Sequence, residues 1–198
     1  MRKLAVVESL TLDGVMQAPG RPDEDVRGGF ARGGWAQLYA DESMVGEMAK
    51  TGMGRTELLF GRRTYEDFSS FWPNQQEPNP FTEVLNNAQK YVASTTLTEP
   101  LPWINSTLLT GDAAQAVAKL KAEPGQDLVV LGSGQLVQSL LRHDLIDEYQ
   151  LLIHPLVLGS GRRLFPDGSP FAKLRLTNSV TTTTGVVIAT YQPAETTR

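Results

Sequence analysis

Three segments of the chain place glycine, hydroxyl or guanidinium groups directly after an apolar run. They are Gly61-Arg62-Arg63-Thr64, Ser94-Thr95-Thr96 and Gly132-Ser133-Gly134. Glycine lets a backbone approach a ligand closely, and arginine forks match phosphate oxygens in pairs. The first N–H groups of a helix have no partner inside it and favour anions. Each segment is therefore compatible with binding a phosphate group.

The third segment is the most informative of the three. The apolar run 128–131 precedes it and an apolar helical pattern over 136–141 follows, which predicts a buried parallel strand, a turn and a helix N-terminus. Valine at position 137 departs from the G-x-G-x-x-G fingerprint, and no Walker lysine is present. A plain strand-to-helix turn also explains the segment. The other two segments also have plain explanations. The arginines of Gly61-Arg62-Arg63-Thr64 can be solvated residues near a helix start, and Ser94-Thr95-Thr96 can be a hydroxyl-rich loop. Together, on successive strands, they favour a dinucleotide spread across a sheet edge.

Composition excludes several classes of protein. The 198 residues carry a net charge of −4 and no lysine or arginine cluster longer than a pair, which argues against nucleic acid as a partner. There is no cysteine, and the two histidines have no partner motif, so we expect no metal site. The N-terminal apolar run is short and is interrupted by Glu8, and no run approaches the ~18 apolar residues of a membrane span. We expect a soluble, cytoplasmic protein.

Strand and helix signals alternate along the chain and predict one α/β domain over residues 1–198. Its sheet is mostly parallel, with an antiparallel C-terminal hairpin. The predicted strands cover 3–7, 57–60, 90–93, 104–109, 127–131, 148–158, 174–180 and 185–191. The predicted helices cover 41–50, 64–71, 79–85, 112–121 and 135–142. Asp41, Asn79 and Asp112 are the expected N-caps, with Gln115 completing a capping box and Pro155 interrupting its strand.

Longer motifs make a family resemblance visible. LLFGRRTYEDF (58–68) resembles the strand–Gly–Arg–x–Thr–aromatic–helix segment of dihydrofolate reductases, and SLTLDGVMQAPG (9–20) resembles the first loop of a related family. That family is the reductase domain of the bifunctional riboflavin-biosynthesis deaminase-reductase, which 129–166 resembles most closely. Over residues 2–192 the chain looks like a stand-alone bacterial member. The resemblance implies a three-layer dihydrofolate reductase-like fold, with helices on both faces of the sheet, and a reduced nicotinamide cofactor.

The resemblance also implies residue roles. The cofactor phosphates would be held by Gly61, Arg62, Arg63 and Thr64. Ser94 and Thr95 would lie beside an adenosine 2′-phosphate, which favours NADPH over NADH. The pyrophosphate would be wrapped by Gly132, Ser133, Gly134, Gln135 and Leu136, and the nicotinamide bordered by Asp13, Gly14, Val15 and Met16. Because Ser133 replaces a glycine of the family, the sequence argues against a cis bond at Gly132–Ser133.

Two departures bear on the substrate. The acidic residue with which dihydrofolate reductases hold the pterin falls near Val45, so we do not expect folate reduction, and the acidic residues around it are expected on the surface. Neither an H-x-E nor a C-x-x-C signature is present, which excludes a zinc deaminase. For a substrate phosphate the candidates are Arg27, Arg32, Arg162 and Arg163, although each of them, taken alone, is better explained as a solvated surface residue.

Candidates for catalysis are few. Asp13 is the best candidate for a polar group near the reacting centre, and its alternative role is a turn before Gly14. His143 is expected to cap a helix end and His154 to be structural. Trp35 would either close over a flat ring or belong to the core.

Three hypotheses follow. The favoured one is an NADPH-dependent reductase of a small pyrimidine-, pterin- or flavin-like heterocycle. The second is the riboflavin-pathway reduction of a phosphoribosylamino-pyrimidine, and the third is a nucleotide- or ligand-binding protein without turnover. We also expect a homodimer, because the resembling family pairs through its C-terminal strands and because a Thr/Val-rich hairpin edge is exposed.

Overall fold

An eight-stranded sheet organises the computed structural model, which describes residues 1–50, 56–75 and 80–194. Its strands are β1 (Leu4–Thr11), β2 (Thr56–Gly61), β3 (Lys90–Ala93), β4 (Ser106–Leu109), β5 (Asp127–Leu131), β6 (Glu148–His154), β7 (Leu174–Thr181) and β8 (Val187–Pro193). The α-helices are α1 (Glu42–Lys50), α2 (Arg62–Phe71), α3 (Pro80–Asn87), α4 (Ala113–Ala122) and α5 (Gly134–Arg142). Short 3₁₀ helices cover Arg27–Gly29, Trp35–Tyr39 and Trp72–Asn74.

The strand order is β4-β3-β2-β5-β1-β6-β8-β7. Neighbouring strands from β4 to β6 are parallel, whereas β8 runs antiparallel to both β6 and β7. The predicted mostly parallel sheet with an antiparallel C-terminal hairpin is confirmed. Since six parallel strands point the same way, the turns that follow them gather at one edge of the sheet.

Helices cover both faces of this sheet, as the side chains of β1 illustrate. Leu4, Val6 and Leu10 belong to a core cluster with α4 and α5, while Val7 belongs to a second cluster with Tyr65 of α2. This alternation is the period of two of an extended strand whose two faces are both buried. The result is the three-layer arrangement expected from the sequence.

Two predicted helix caps are confirmed. The Asp41 carboxylate accepts the Met44 N–H at 2.7 Å, and the Asp112 carboxylate accepts the Gln115 N–H at 2.9 Å. The second Asp41 oxygen accepts the Thr183 hydroxyl at 2.5 Å and the Thr184 N–H at 3.2 Å, both in the β7–β8 turn. These bonds, that of Thr183 foremost, lower the pKa of Asp41. The third predicted cap, Asn79, lies outside the described residues.

The strand predicted over 148–158 is too long. β6 ends at His154, because Pro155 has no N–H to continue a ladder, and the Leu156 N–H turns back to the His154 carbonyl at 2.8 Å. β1 instead runs further than predicted, through Thr11. Its pairing with β6 continues over Glu8–Thr11, after the last pair with β5, Val7↔Leu131.

Among the described residues, no helix is both long and apolar enough to cross a bilayer.

Lys90 is a buried charge in this core. Its ammonium donates to the carbonyls of Asn86, Ala88 and Ile104 at 2.8–3.1 Å and lies 4.4 Å from the centre of the Trp103 ring. Burial lowers the pKa of Lys90 to about 8. The side chain therefore ties the end of α3 to the segment before β4.

Replacing Lys90 by methionine should destabilise the fold, because buried carbonyl groups lose their donor. Such a loss costs about 1–3 kcal/mol of the free energy of unfolding, measurable by urea denaturation. The exposed Lys119→Met on α4 is the matched control and should change little. Since the folded pKa lies below the unfolded value, raising the pH from 8 towards 10.5 should stabilise the wild type relative to Lys90→Met. Equal stability of the two proteins across this range would contradict a structural role for the buried ammonium of Lys90.

Candidate active site at the carboxyl ends of the parallel strands

A cleft of about 1500 Å³ lies at the edge where β1, β2, β3 and β5 end. All three predicted phosphate-compatible segments line it. The predicted cofactor residues on its wall are Met16, Gly61, Arg62, Arg63, Thr64, Ser94, Thr95, Gly132, Ser133, Gly134, Gln135 and Leu136. The structure therefore brings together residues that are up to 120 positions apart in the chain, although their binding role stays a prediction.

The turn between β2 and α2 offers two arginines to the cleft. Arg62 forms an i,i+4 ion pair with Glu66 at 3.0 Å, and the Arg63 side chain is exposed. An exposed pair of this kind contributes little stability. The guanidinium of Arg62 is therefore free to exchange its carboxylate partner for a ligand phosphate at small cost.

The turn between β5 and α5 has an unusual backbone. Gly132 (φ +59°) and Ser133 (φ +64°) are both in the left-handed region, and the Gly132–Ser133 peptide is trans, as the sequence indicated. A left-handed residue other than glycine costs roughly 1–2 kcal/mol. Ser133 is held there by its side chain, whose Oγ accepts the Gly61 N–H at 2.9 Å. One hydrogen bond thus joins the β5 turn to the β2 turn.

Met16 covers the start of α5. A Cβ atom added at Gly134 would lie 2.5 Å from the Met16 Sδ atom, so glycine is required there while Met16 keeps its position. Methionine is unbranched and changes rotamer readily. The Met16 side chain therefore packs against the first residue of α5 and can change rotamer if a ligand approaches.

The turn after β3 is built around Ser94. Its hydroxyl oxygen accepts the N–H groups of Thr96 (3.1 Å) and Leu97 (3.0 Å), and Thr95 is exposed beside it. Asp112, the N-cap of α4, lines the same end of the cleft. Hydroxyl groups and a carboxylate therefore meet at the end of the cleft assigned to the adenosine.

Asp13 is not among the residues that line the cleft. Its carboxylate accepts the Thr11 hydroxyl at 2.6 Å and the N–H groups of Leu158 and Gly159 at 3.2 and 2.8 Å. These bonds, that of Thr11 foremost, lower the pKa of Asp13. Asp13 thus fastens the end of β1 to a distant loop. Its catalytic role stays a prediction, and its contacts favour the structural alternative.

Val15 and Trp35 belong to a small buried cluster with Ala18 and Phe30. Val15 is fully buried and does not line the cleft, unlike its neighbour Met16. Trp35 is 4% exposed and donates its ring N–H to a backbone carbonyl at 2.8 Å. Of the two alternatives for Trp35, the structure favours the core.

Gln17 connects the first loop internally and to the loop after β6. Its amide nitrogen donates to the carbonyls of Asp25 and Arg27, both at 3.0 Å, and its amide oxygen accepts the Arg162 N–H at 3.0 Å. The indole of Trp35 donates to the Gln17 carbonyl. A buried amide that makes these bonds fixes the path of the loop.

Arg21 connects the same loop to α2 on the opposite side of the cleft. It forms an ion pair with Asp67, and its guanidinium lies 4.1 Å from the centre of the Phe71 ring. Glu24 accepts the N–H groups of Gly20 and Arg21 at 2.7 and 3.1 Å. Burial raises the pKa of Glu24.

The histidines behave as structural residues. His154 is buried, its Nδ1 atom lies 2.9 Å from the Leu152 carbonyl oxygen, and burial lowers its pKa. His143 ends α5 with Nδ1 2.9 Å from the Ser139 carbonyl oxygen. Within the described part of the chain, no group of three potential ligands could hold a metal ion.

The four candidate phosphate-binding arginines all line the main cleft or a smaller pocket beside it. Arg27 forms an ion pair with Asp25, and Arg163 donates to the Asp13 carbonyl at 2.8 Å. Arg27, Arg32 and Arg162 line the smaller pocket of about 370 Å³, and Arg27, Arg162 and Arg163 line the main cleft.

Glu8 is the residue of this site that the sequence analysis missed. It alternates with Val6 and Leu10 on β1, lines the cleft and is only 4% exposed. Within residues 1–50, 56–75 and 80–194, its Oε2 atom has no hydrogen-bond partner. Burial raises the pKa of Glu8 well above its ordinary value, and the nearby Glu24 raises it further. The signal for Glu8 in the sequence is a single charged residue that interrupts an otherwise apolar stretch. The same interruption argues against a signal peptide.

Comparisons with known proteins agree with this geometry. Residues 2–188 match the family model of the RibD C-terminal domain. The uncharacterised protein YyaP of Bacillus subtilis (strain 168) is 32% identical over 140 residues, which cover 68% of this chain and 72% of YyaP.

Solved structures show the fold. A structure from Shewanella sp. PV-4, named for riboflavin biosynthesis, superposes with a TM-score of 0.74 at 24% identity and covers 98% of this chain and 99% of its own. Dihydrofolate reductase from Enterococcus faecalis, complexed with NADP(H) and RAB-propyl, superposes with a TM-score of 0.60 at 15% identity. The match covers 98% of this chain and 97% of the reductase chain. The fold is dihydrofolate reductase-like, as expected. The family match extends over nearly the whole chain, and the chain therefore belongs to the RibD C-terminal domain family.

Proposed function

We propose that the protein is an NADPH-dependent reductase that transfers hydride to a small heterocycle of the pyrimidine, pterin or flavin type. One observation carries the proposal: the turns after β2, β3 and β5 line one cleft and present arginine, hydroxyl and backbone N–H groups to it. Anionic groups bind where such donors converge on helix N-termini. The family and the NADP(H)-bound reductase of the same fold support this choice of ligand.

The order of the strands suggests how the cofactor would lie. From β3 through β2 and β5 to β1 there are three strand intervals, or roughly 14 Å at about 4.8 Å each. The adenosine end would lie at Ser94 and Thr95, the phosphates at Arg62 and Arg63, and the nicotinamide near Met16 at the end of β1. When bound, the cofactor supplies the hydride. The chain would position the cofactor and exclude water with apolar side chains that line the cleft, among them Leu131, Leu152 and Phe68.

A second candidate function is the riboflavin-pathway reduction of a phosphoribosylamino-pyrimidine. The observation that favours it is the smaller pocket beside the cleft, where Arg27, Arg32 and Arg162 meet. Three arginines around one pocket suit a phosphate on the substrate, although the Arg27 guanidinium is already paired with Asp25. A ligand-binding protein without turnover has the same cofactor cleft and is separated from both reductases by the absence of hydride transfer.

The first test is titration with NADPH and NADH, followed by nucleotide fluorescence. We expect NADPH to bind more tightly, since arginine and hydroxyl groups accept a 2′-phosphate. Arg62→Ala and Arg63→Ala should each weaken NADPH binding about tenfold to a hundredfold, because a hydrogen bond to a charged group contributes about 1.5–3 kcal/mol.

Arg175→Ala is the matched control, since Arg175 is exposed on β7, a strand that does not contribute to the lining of the cleft. It should leave binding unchanged. Tighter binding of NADH would reverse the cofactor assignment and point to Asp112 as a partner of the ribose hydroxyls. If the folded protein bound neither nucleotide, the reductase proposal would be wrong.

Replacing Ser133 by alanine should weaken NADPH binding and lower stability together. The change removes the acceptor of the Gly61 N–H while the backbone at 133 stays left-handed. The loss of this hydrogen bond corresponds to about 1 kcal/mol of the free energy of unfolding, measurable by urea denaturation. The control is Ser70→Ala at an exposed position of α2 that does not line the cleft, which should leave binding unchanged and should not lower stability. Unaltered binding in Ser133→Ala would show that the two turns do not need to be joined.

We further propose a homodimer that pairs through β7. This strand ends the sheet and pairs with β8 alone among the described strands, and Leu176 is 50% exposed on it. An exposed edge strand is a ready template for a second copy. Light scattering at micromolar concentration should give twice the chain mass of 21.7 kDa. The mass of a single chain would refute the dimer.

A further inference from the structure

Glu8 is a buried carboxyl group with an oxygen atom that the described part of the fold leaves unpaired. Asp13, Asp25, Asp41 and Asp67 are each bonded to a side chain or N–H group elsewhere in the chain, although the Oδ2 atom of Asp67 has no partner. Among the described residues Glu8 has no ion-pair partner, and its Oε2 atom has no hydrogen-bond partner although the residue is 96% buried and lines the cleft. A buried polar atom without a partner costs about 1–3 kcal/mol. A group kept at such a cost inside a cleft points to a ligand that completes its bonding.

The register of β1 explains why Glu8 reaches the cleft. β5 pairs with β1 up to Val7↔Leu131 and then turns away at Gly132, whereas β6 continues beside β1 to Thr11. Glu8 is the first residue of β1 beyond the last pair with β5. It therefore lies one residue past the point where the turn assigned to the pyrophosphate leaves the sheet.

We propose that Glu8 recognises an amide group of a bound ligand, through one donated and one accepted hydrogen bond. The group would be either the carboxamide of a nicotinamide or the lactam edge of a pyrimidine-like ring, since both present a carbonyl next to an N–H. This inference rests on the proposed function, because these are the amides that a nicotinamide-dependent reductase of heterocycles would bring into the cleft.

The chemistry of a neutral carboxyl group fits this role. A protonated carboxyl has one O–H donor and a carbonyl acceptor side by side, which complements the acceptor and donor of an amide. A carboxylate has only acceptors and would leave the amide carbonyl without a partner. Burial favours the neutral form of Glu8, and so does Glu24, which reaches the same cleft from the first loop.

Two substitutions separate amide recognition from a merely structural role. In Glu8→Gln the side chain still donates and accepts, whereas in Glu8→Leu it does neither at similar size. Leucine should be tolerated by the fold because it replaces a buried group that lacks a partner. Glu8→Gln keeps the test available if Glu8→Leu fails to fold. The exposed Glu123→Leu, after α4, is the control.

Binding would be measured by calorimetry with NADPH, with lumazine as a bicyclic lactam, and with 2′,5′-ADP, which has the adenosine phosphates but no nicotinamide. We expect Glu8→Leu to weaken the binding of NADPH or of lumazine at least tenfold. Its affinity for 2′,5′-ADP should stay within twofold of the wild-type value. Glu8→Gln should stay within about threefold of the wild type for all three. A loss confined to NADPH identifies the nicotinamide carboxamide as the partner, and a loss confined to lumazine identifies the substrate lactam.

Three results would overturn the inference. Folded Glu8→Leu could bind NADPH and lumazine as the wild type does, or Glu8→Gln could lose as much affinity as Glu8→Leu. In the third result, the wild type would bind 2′,5′-ADP but neither NADPH nor lumazine, the two probes that contain an amide. Failure of the wild type to bind either nucleotide would instead refute the proposed cofactor site. The failures of the two proposals are thus distinguishable.

Discussion

The hydrogen bond from the Gly61 N–H to the Ser133 hydroxyl oxygen fixes the centre of the cleft. Parallel pairing brings the ends of β2 and β5 to the same edge, but pairing alone does not set the path of the turns that follow. This hydrogen bond fixes the path of the turn after β5, because it holds Ser133 in the left-handed conformation. Helix α5 begins at the next residue. The N-termini of α2 and α5 consequently face the same space, where their unpaired N–H groups are available to one anionic ligand.

The other side of the cleft is made by the first loop, which side chains hold in place. Asp13 fastens its beginning to the loop after β6, Gln17 connects its middle to Arg162, and Arg21 reaches across to Asp67. These polar residues look chemical in sequence, yet their atoms are already bonded within the fold. Glu8 differs because, among the described residues, it makes no such link between segments and its Oε2 atom has no hydrogen-bond partner.

The sequence predicts much of this arrangement because local patterns determine it. Apolar runs such as 127–131, together with the caps Asp41 and Asp112, mark strands and helix starts with little help from the rest of the chain. The three turns could also be identified, since glycine, arginine and hydroxyl residues follow apolar runs. Their convergence depends on the strand order, which periodicity does not contain.

The features that the sequence does not reveal depend on contacts between distant residues. Asp13 stands out in the sequence because the N–H groups that donate to its carboxylate, those of Leu158 and Gly159, lie about 145 positions away. Val15 and Met16 are neighbours in sequence, but β-type alternation sends one into the core and the other into the cleft. Glu8 was overlooked because a single charge in a strand acquires meaning only when its neighbours and its burial are known.

The contacts of Asp41 have a consequence for how the molecule opens. One carboxylate caps α1 and also holds the turn between β7 and β8, more than 140 residues further along. Helix and hairpin turn share this anchor, so a fluctuation that frees one also weakens the other. Amide hydrogens of the first turn of α1 and of the hairpin turn would then exchange as one cooperative unit. The edge strand proposed to pair with a second copy thereby gains a mechanical link to the helix that follows the first loop of the cleft.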